Sequence, residues 1–284
     1  MKKFINKKPF FIAEISANHC GSIEKAKKLI ILAKKNGADA VKLQTYTPDM
    51  MTIKNNKFVI KDGIWKNINL WKLYDEAHTP LIWHDKLFEL AKKIKLKIFS
   101  TPFSSEAVDL LEKLKCEAYK IASFEMNDLN LIKRVSLTKK PLIISTGLSS
   151  IKEIEKTYKT AKKYGCKDIT LLYCVSNYPS QKNDFSLNNI KILKERFNCK
   201  VGLSDHSIGN DVAKLSLAMG AEVFEKHIAL QNQTEGHDIK FSAKGEEIFN
   251  YKKDLVDNFK LLEKKEFFRS KSELKNLIFR RSIY

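Results

Sequence analysis

Short apolar runs alternate with stretches of helical periodicity along most of this sequence, and no other feature constrains its fold as much. Strands are expected at 10–15, 40–44, 98–101, 118–123, 142–146, 170–174, 201–204 and 223–227. Ser22 is placed to cap a helix that carries Ala26, Leu29, Ile30 and Ala33 on one face, and Gly37 is placed to end it. Ala107, Leu110, Leu111 and Leu114 mark another helix, and further helices are expected near 128–137, 151–163, 187–197, 209–219 and 245–264. Eight strands, each followed by a helix, close most simply into a (β/α)8 TIM barrel of the α/β class. A doubly wound open sheet is the alternative, but no GxGxxG follows the first strand.

The 284 residues, 43% of them hydrophobic, suffice for one large α/β domain. No apolar run reaches the roughly 18–20 residues needed to span a bilayer, and the start of the chain does not read as a signal peptide. Cys20, Cys116, Cys166, Cys174 and Cys199 are odd in number and form no CxxC pair, so reduced thiols and a cytoplasmic location are expected. The formal net charge of +19 comes from lysines that recur on nearly every helix among acidic residues, as in Lys152, Glu153, Glu155 and Lys156. That distribution describes a solvated basic surface rather than a nucleic-acid site, which would gather its cations on one face. It would still draw in an anionic substrate.

In a barrel, alternate side chains point inward, and those near the carboxyl ends of the strands line the active site. By parity, Glu14 points inward with Ile12, Lys42 and Gln44 with Ala40, and Glu225 and His227 with Val223. Lys120 stands between Tyr119 and Ile121, and Thr101, Ser123, Ser145, Ser176 and Ser204 bring hydroxyls to strand ends. Buried charges must be paired or bind ligands. Lys42 and Lys120 with the hydroxyls suit a phosphate or carboxylate. His206 and His227, on adjacent strand ends, can hold a divalent metal such as Mn2+, Co2+ or Zn2+. Glu14 and Glu225 are placed for proton transfer or for anchoring substrate hydroxyls.

The remaining histidines read differently. His84 is expected to be an exposed helix residue, and His78 to be either functional or part of a proline turn. His237 lies on a loop able to reach the mouth, where its neighbour Asp238 is the better candidate; Cys20, near the mouth, has no evident base to make it a nucleophile. The long second connection, 45–85, holds Trp65, Trp71, Trp83 and two histidines and is expected to fold over the mouth.

The motifs Ala13-Glu14-Ile15-Ser16-Ala17-Asn18-His19, Val41-Lys42-Leu43-Gln44-Thr45, Ser100-Thr101-Pro102-Phe103, Tyr119-Lys120-Ile121-Ala122-Ser123, Ile144-Ser145-Thr146-Gly147, Gly202-Leu203-Ser204-Asp205-His206 and Glu225-Lys226-His227 occur in order. Together they resemble the sialic acid synthase family over residues 10–240. Ala13-Glu14-Ile15-Ser16-Ala17, Leu43-Gln44-Thr45-Tyr46-Thr47-Pro48-Asp49 and Leu73-Tyr74-Asp75-Glu76-Ala77-His78-Thr79-Pro80 are similar to its pseudaminic branch in particular.

The resemblance implies a metal-dependent, carbon–carbon bond-forming condensation of phosphoenolpyruvate with an open-chain amino sugar. In the pseudaminic branch that sugar is 2,4-diacetamido-2,4,6-trideoxy-altrose; the alternative is an N-acetylmannosamine-type sugar, as in N-acetylneuraminate or legionaminate synthases. It implies His206 and His227 as metal ligands, with Mn2+ the expected ion and Co2+ or Mg2+ as alternatives. It implies phosphoenolpyruvate contacts at Lys42, Thr101, Lys120, Ser123, Ser145, Ser176 and Ser204. Glu14, Gln44, Glu125, Tyr178, Glu225 and Asp238 fall where the family contacts sugar or moves protons; Glu14, Glu225 and Asp238 are the expected catalytic groups.

Two positions depart from the family: Cys20 stands where Asn is usual, and Ser176 often has Asn as its counterpart. The family also implies a homodimer and an antifreeze-like domain after the barrel. The barrel is therefore expected at 1–265, and 266–284 as a linker toward such a domain, which this chain does not include. A different metal-dependent barrel chemistry, or a non-catalytic sugar-phosphate binder, are the competing readings.

Overall fold

The computed structural model describes residues 3–264 and 266–280. The expected barrel boundary at 265 and the last four residues of the expected linker, 281–284, lie outside them. Eight strands run in chain order: β1 (Phe10–Glu14), β2 (Ala40–Thr45), β3 (Lys97–Pro102), β4 (Tyr119–Ile121), β5 (Leu142–Ser145), β6 (Ile169–Cys174), β7 (Lys200–Asp205) and β8 (Val223–Ala229). Each pairs in parallel with the next, and β8 pairs with β1, which closes the sheet into the expected (β/α)8 barrel. A ninth strand of two residues, β9 (Ala243–Lys244), extends β8 in parallel.

The helices form where capping and apolar spacing agree. Ser22 accepts a hydrogen bond from the Lys25 amide at the start of helix Ile23–Lys35, whose Ala26, Leu29, Ile30 and Ala33 are buried. Gly37 follows at φ +80°, a left-handed turn that favours glycine. Ser150 and Glu153 cap helix Ile151–Lys163 reciprocally. At the amino end of the barrel, Phe4 packs against Phe10 and Phe99, with ring centroids 5.8 and 5.2 Å apart. The apolar core thus fills that end and leaves the polar residues to the other.

Two features differ from expectation. β4 is shorter than 118–123 because the chain turns at Ala122, whose carbonyl accepts the Glu125 amide at 3.2 Å. His84 is fully buried rather than exposed. It opens helix His84–Lys93 in phase with Leu87, Phe88 and Ala91, so it faces the barrel, where its Nε2 lies 2.9 Å from Thr45 Oγ1. Among the described residues no helix is long and apolar enough to cross a membrane.

Candidate active site

The pleat of each strand delivers the site. Register sets Glu14 beside both Lys42 and His227, Gln44 beside Thr101, and Ser204 beside Glu225, all at the carboxyl ends. There a cavity of about 400 Å³ opens. Lys42, Gln44, Thr101, Lys120, Ser123, Glu125, Ser145, Tyr178, Ser204, His206, Glu225, His227 and Asp238 line it together. Two expected residues do not line it. Glu14 lies fully buried beneath Lys42. Ser176 lies behind Gly147: a Cβ on that glycine would come within 2.3 Å of Ser176 Oγ and 2.8 Å of Ser123 Oγ. Glycine there is what lets the two hydroxyls share one corner.

Lys42 and Lys120 are held by buried carboxylates. Lys42 Nζ pairs with Glu14, lies 3.8 Å from Glu225 Oε2 and donates to Thr101 Oγ1 at 3.1 Å. Lys120 Nζ donates to Glu225 Oε1 at 2.8 Å, and Ser204 Oγ donates to the same oxygen at 3.1 Å. Burial alone would raise the Glu225 carboxyl, but Lys120 and Lys42 outweigh it and hold its pKa at about 2. Burial works against the Lys42 ammonium too, yet Glu14 and Glu225 raise its pKa above the ordinary lysine value. At Lys120 burial prevails over Glu225 and the pKa falls. Ser145 Oγ is buried with no hydrogen-bond partner among the described residues, an unmet group facing the cavity.

Glu125 is the exception among the carboxyls. Burial pushes its pKa up from 4.5 to about 7, and its Oε2 has no hydrogen-bond partner among the described residues.

The two histidines sit with ring centroids 5.4 Å apart. His206 Nδ1 lies 3.1 Å from the Val175 carbonyl oxygen, which can only accept, so in the neutral ring the proton is on Nδ1 and the lone pair on Nε2. His227 Nδ1 is buried without a hydrogen-bond partner among the described residues and lies 3.5 Å from Asp238 Oδ2. One imidazole with its tautomer set and another with an orphaned nitrogen suit a divalent cation. No cluster of three or more His, Cys, Asp or Glu side chains fit to hold a metal occurs among the described residues. A cation bound by the pair would therefore take its other positions from water or substrate, as at an open catalytic site.

Charge bears on the same question. In and beneath the cavity, two ammonium groups (Lys42, Lys120) face three carboxylates (Glu14, Glu225, Asp238), apart from Glu125, whose pKa burial raises. A multiply charged anion needs more positive charge than the side chains supply, and a divalent cation would supply it.

Several neighbours escaped the sequence reading. Ser16 accepts from Gln44 Nε2 at 3.2 Å and donates to Asp238. Its parity with Ile12 and Glu14 was a usable signal. Phe241, from the turn Ile239–Phe241, packs 4.8 Å from the His227 ring and 5.7 Å from that of His206. It follows no strand periodicity, so the sequence carried no sign of it. The second connection does fold over the mouth: Tyr46, Met51, Ile60, Trp65, Leu70, Leu73 and Tyr74 line the cavity. Trp65 Nε1 donates to the His237 carbonyl at 3.0 Å, and its ring lies 5.2 Å from that of Tyr178. His78 is outside the lining and stands at the C-terminal cap of helix Leu70–Ala77. Cys20 is outside it as well.

Fold and cavity together define a class, a (β/α)8-barrel enzyme built to hold an anionic substrate. The chain belongs to the NeuB family, which it matches over residues 29–266. It is 43% identical to the pseudaminic acid synthase of Campylobacter jejuni subsp. jejuni over 285 residues, covering 98% of this chain and 82% of the relative. It is 36% identical to the N,N'-diacetyllegionaminic acid synthase of the same organism over 252 residues, covering 85% of this chain and 74% of that one. Among solved structures, the N-acetylneuraminic acid (sialic acid) synthetase of Leptospira borgpetersenii serovar Hardjo-bovis, in complex with citrate, superposes with a TM-score of 0.86. That match has 28% identity and covers 98% of this chain and 93% of the other.

Proposed function

We propose that this protein is a pseudaminic acid synthase, which condenses phosphoenolpyruvate with 2,4-diacetamido-2,4,6-trideoxy-altrose to give the nonulosonic acid and phosphate. The carrying observation is the convergence of Lys42, Lys120 and the unmet Ser145 hydroxyl on one cavity with the histidine pair. The higher identity to a pseudaminic than to a legionaminic acid synthase supports the choice of sugar.

NeuB-family synthases are generally metal-dependent. His206 and His227 would hold the divalent cation, Mn2+ in this reading, which would supply Lewis-acid polarisation of the sugar aldehyde. The side chains do the rest. Lys42 and Lys120 neutralise the carboxylate and phosphate of phosphoenolpyruvate, and Thr101, Ser123 and Ser145 donate hydrogen bonds around them; Ser204 holds Glu225 instead, and Ser176 backs the corner that Ser123 occupies. That grip holds C3 of the enol against the aldehyde carbon, to which it bonds; water adds at C2, and phosphate leaves with cleavage of its C–O bond. Glu14 and Glu225 keep the lysines charged and placed. Glu125, its pKa raised by burial to about 7, is suited to exchange a proton with the sugar oxygen. Gln44, Tyr178 and Asp238 bound the sugar end. The enzyme works in the cytoplasm as a homodimer in this reading, with residues 266–284 a linker beyond the barrel.

Phosphate release from phosphoenolpyruvate, measured with Mn2+ and each candidate sugar, tests the assignment. Release with the altrose derivative and little with N-acetylmannosamine-type sugars is expected; no release with any sugar would sink it. His206→Ala and His227→Ala should each weaken Mn2+ binding, read by titration, and abolish turnover. Metal-dependent activity surviving in both would refute the ligand pair.

A further inference from the structure

One buried charge pair takes no part in this chemistry and lies outside the cavity. Asp205 ends β7, and Lys226 is its cross-strand neighbour in β8. Both are buried, on the side of the barrel wall where Tyr251 of helix Glu246–Leu261 packs. Lys226 Nζ lies 3.3 Å from Asp205 Oδ2 and donates to the Ser207 carbonyl. Asp205 Oδ1 accepts from the Ser207 amide at 2.9 Å and from its hydroxyl at 2.6 Å, and Oδ2 accepts from the Tyr251 hydroxyl at 3.1 Å.

As a source of stability such a pair is weak. Taking two charges out of water offsets most of their attraction, and well-packed apolar replacements are often neutral or better. What the pair holds is more telling. Asp205 and Ser207 flank His206, and Lys226 precedes His227. The amide, hydroxyl and carbonyl of Ser207 are all bound by the pair, while the His206 carbonyl accepts from the Ser180 amide at 3.0 Å. The peptide units around one histidine are thereby tied to the residue next to the other.

We propose that Asp205 and Lys226 are positioning residues that set the separation of His206 and His227 for a divalent cation. This rests on reading those histidines as metal ligands. Neither residue lines the cavity, so their effect passes through the backbone of β7 and β8.

Lys226→Met keeps the length of the side chain and removes its charge. Supports of metal ligands are worth about tenfold to a hundredfold in metal affinity. The folded variant should therefore bind Mn2+ at least about tenfold more weakly than the wild type by titration, and its Co2+-loaded form should show altered visible absorption. A pair serving stability alone predicts a lowered melting temperature with wild-type Mn2+ affinity and Co2+ spectrum; that result overturns the inference. Should Lys226→Met fail to fold, Tyr251→Phe carries the test, since it removes only the hydrogen bond to Asp205. Weakened Mn2+ binding is then expected, and unchanged affinity overturns the inference. His206→Ala separates the two levels. If it binds Mn2+ as the wild type does, the ligand reading fails and this inference with it; if it alone loses the metal, only the positioning role is refuted.

Discussion

Glu125 and Glu225 share a cavity and a residue type, yet their environments drive them in opposite directions. Glu225 meets two ammonium groups that outweigh its burial, whereas Glu125 meets none close enough to do so. The raised pKa of Glu125 has a consequence for stability. A carboxyl that binds its proton more tightly when folded favours the fold fully below its ordinary 4.5, and the advantage disappears as pH rises through about 7. Glu125→Gln, which stays neutral, should gain melting temperature relative to the wild type between those limits and hold the gain above them. Parallel melting curves from pH 4 to 8 would refute the shift. Lys120→Ala acts on binding instead. Losing one charge-assisted contact, about 1.5–3 kcal/mol, corresponds to roughly ten- to a hundredfold in affinity. The apparent KM for phosphoenolpyruvate should rise by that order, and an unchanged KM would count against the anion-site role.

At the scale of elements, the barrel supplies a rigid floor and the second connection supplies a roof. The roof is fastened by Trp65, through its hydrogen bond to the His237 carbonyl and its contact with Tyr178, and by Glu76, whose carboxylate lies 3.3 Å from His237 Nε2. Trp65→Phe removes the hydrogen bond and keeps a ring, a loss of about 0.5–1.5 kcal/mol. Trp65→Ala removes both. The KM for the sugar should therefore rise in the order wild type, Phe, Ala, and steady-state kinetics on the three proteins would expose any other ranking. Floor and roof were not equally legible in the sequence. Strand parity carried Glu14, Lys42, Gln44, Glu225 and His227 to the correct face, because a period of two leaves only two choices. The long connection has no such period, so its presence over the mouth was readable but its contacts were not. His84 was misjudged for a related reason. A polar residue at a helix start reads as exposed until the barrel supplies Thr45 to bond it.

For the whole molecule, the question is how a surface with net charge +19 relates to a cavity that is not itself strongly cationic. Many of the lysines are engaged in surface ion pairs, among them Lys72 with Glu76, Lys182 with Asp211 and Lys253 with Asp257. Such pairs contribute about 0–1 kcal/mol to stability. The excess charge therefore matters through its long-range field more than through contacts. A positive field raises the encounter rate of an anion with the protein, and salt screens it: the Debye length falls from about 30 Å at 0.01 M to about 3 Å at 1 M. Steps after binding occur inside a barrel mouth covered by the second connection, where screening is weaker. Rising ionic strength should thus lower kcat/KM for phosphoenolpyruvate while leaving kcat nearly constant. Two sodium salts with different anions, compared at matched ionic strength, distinguish screening from competition by one anion for Lys42 and Lys120. Equal declines in both salts are expected, and a kcat/KM flat across the range would mean that the surface charge takes no part in capture.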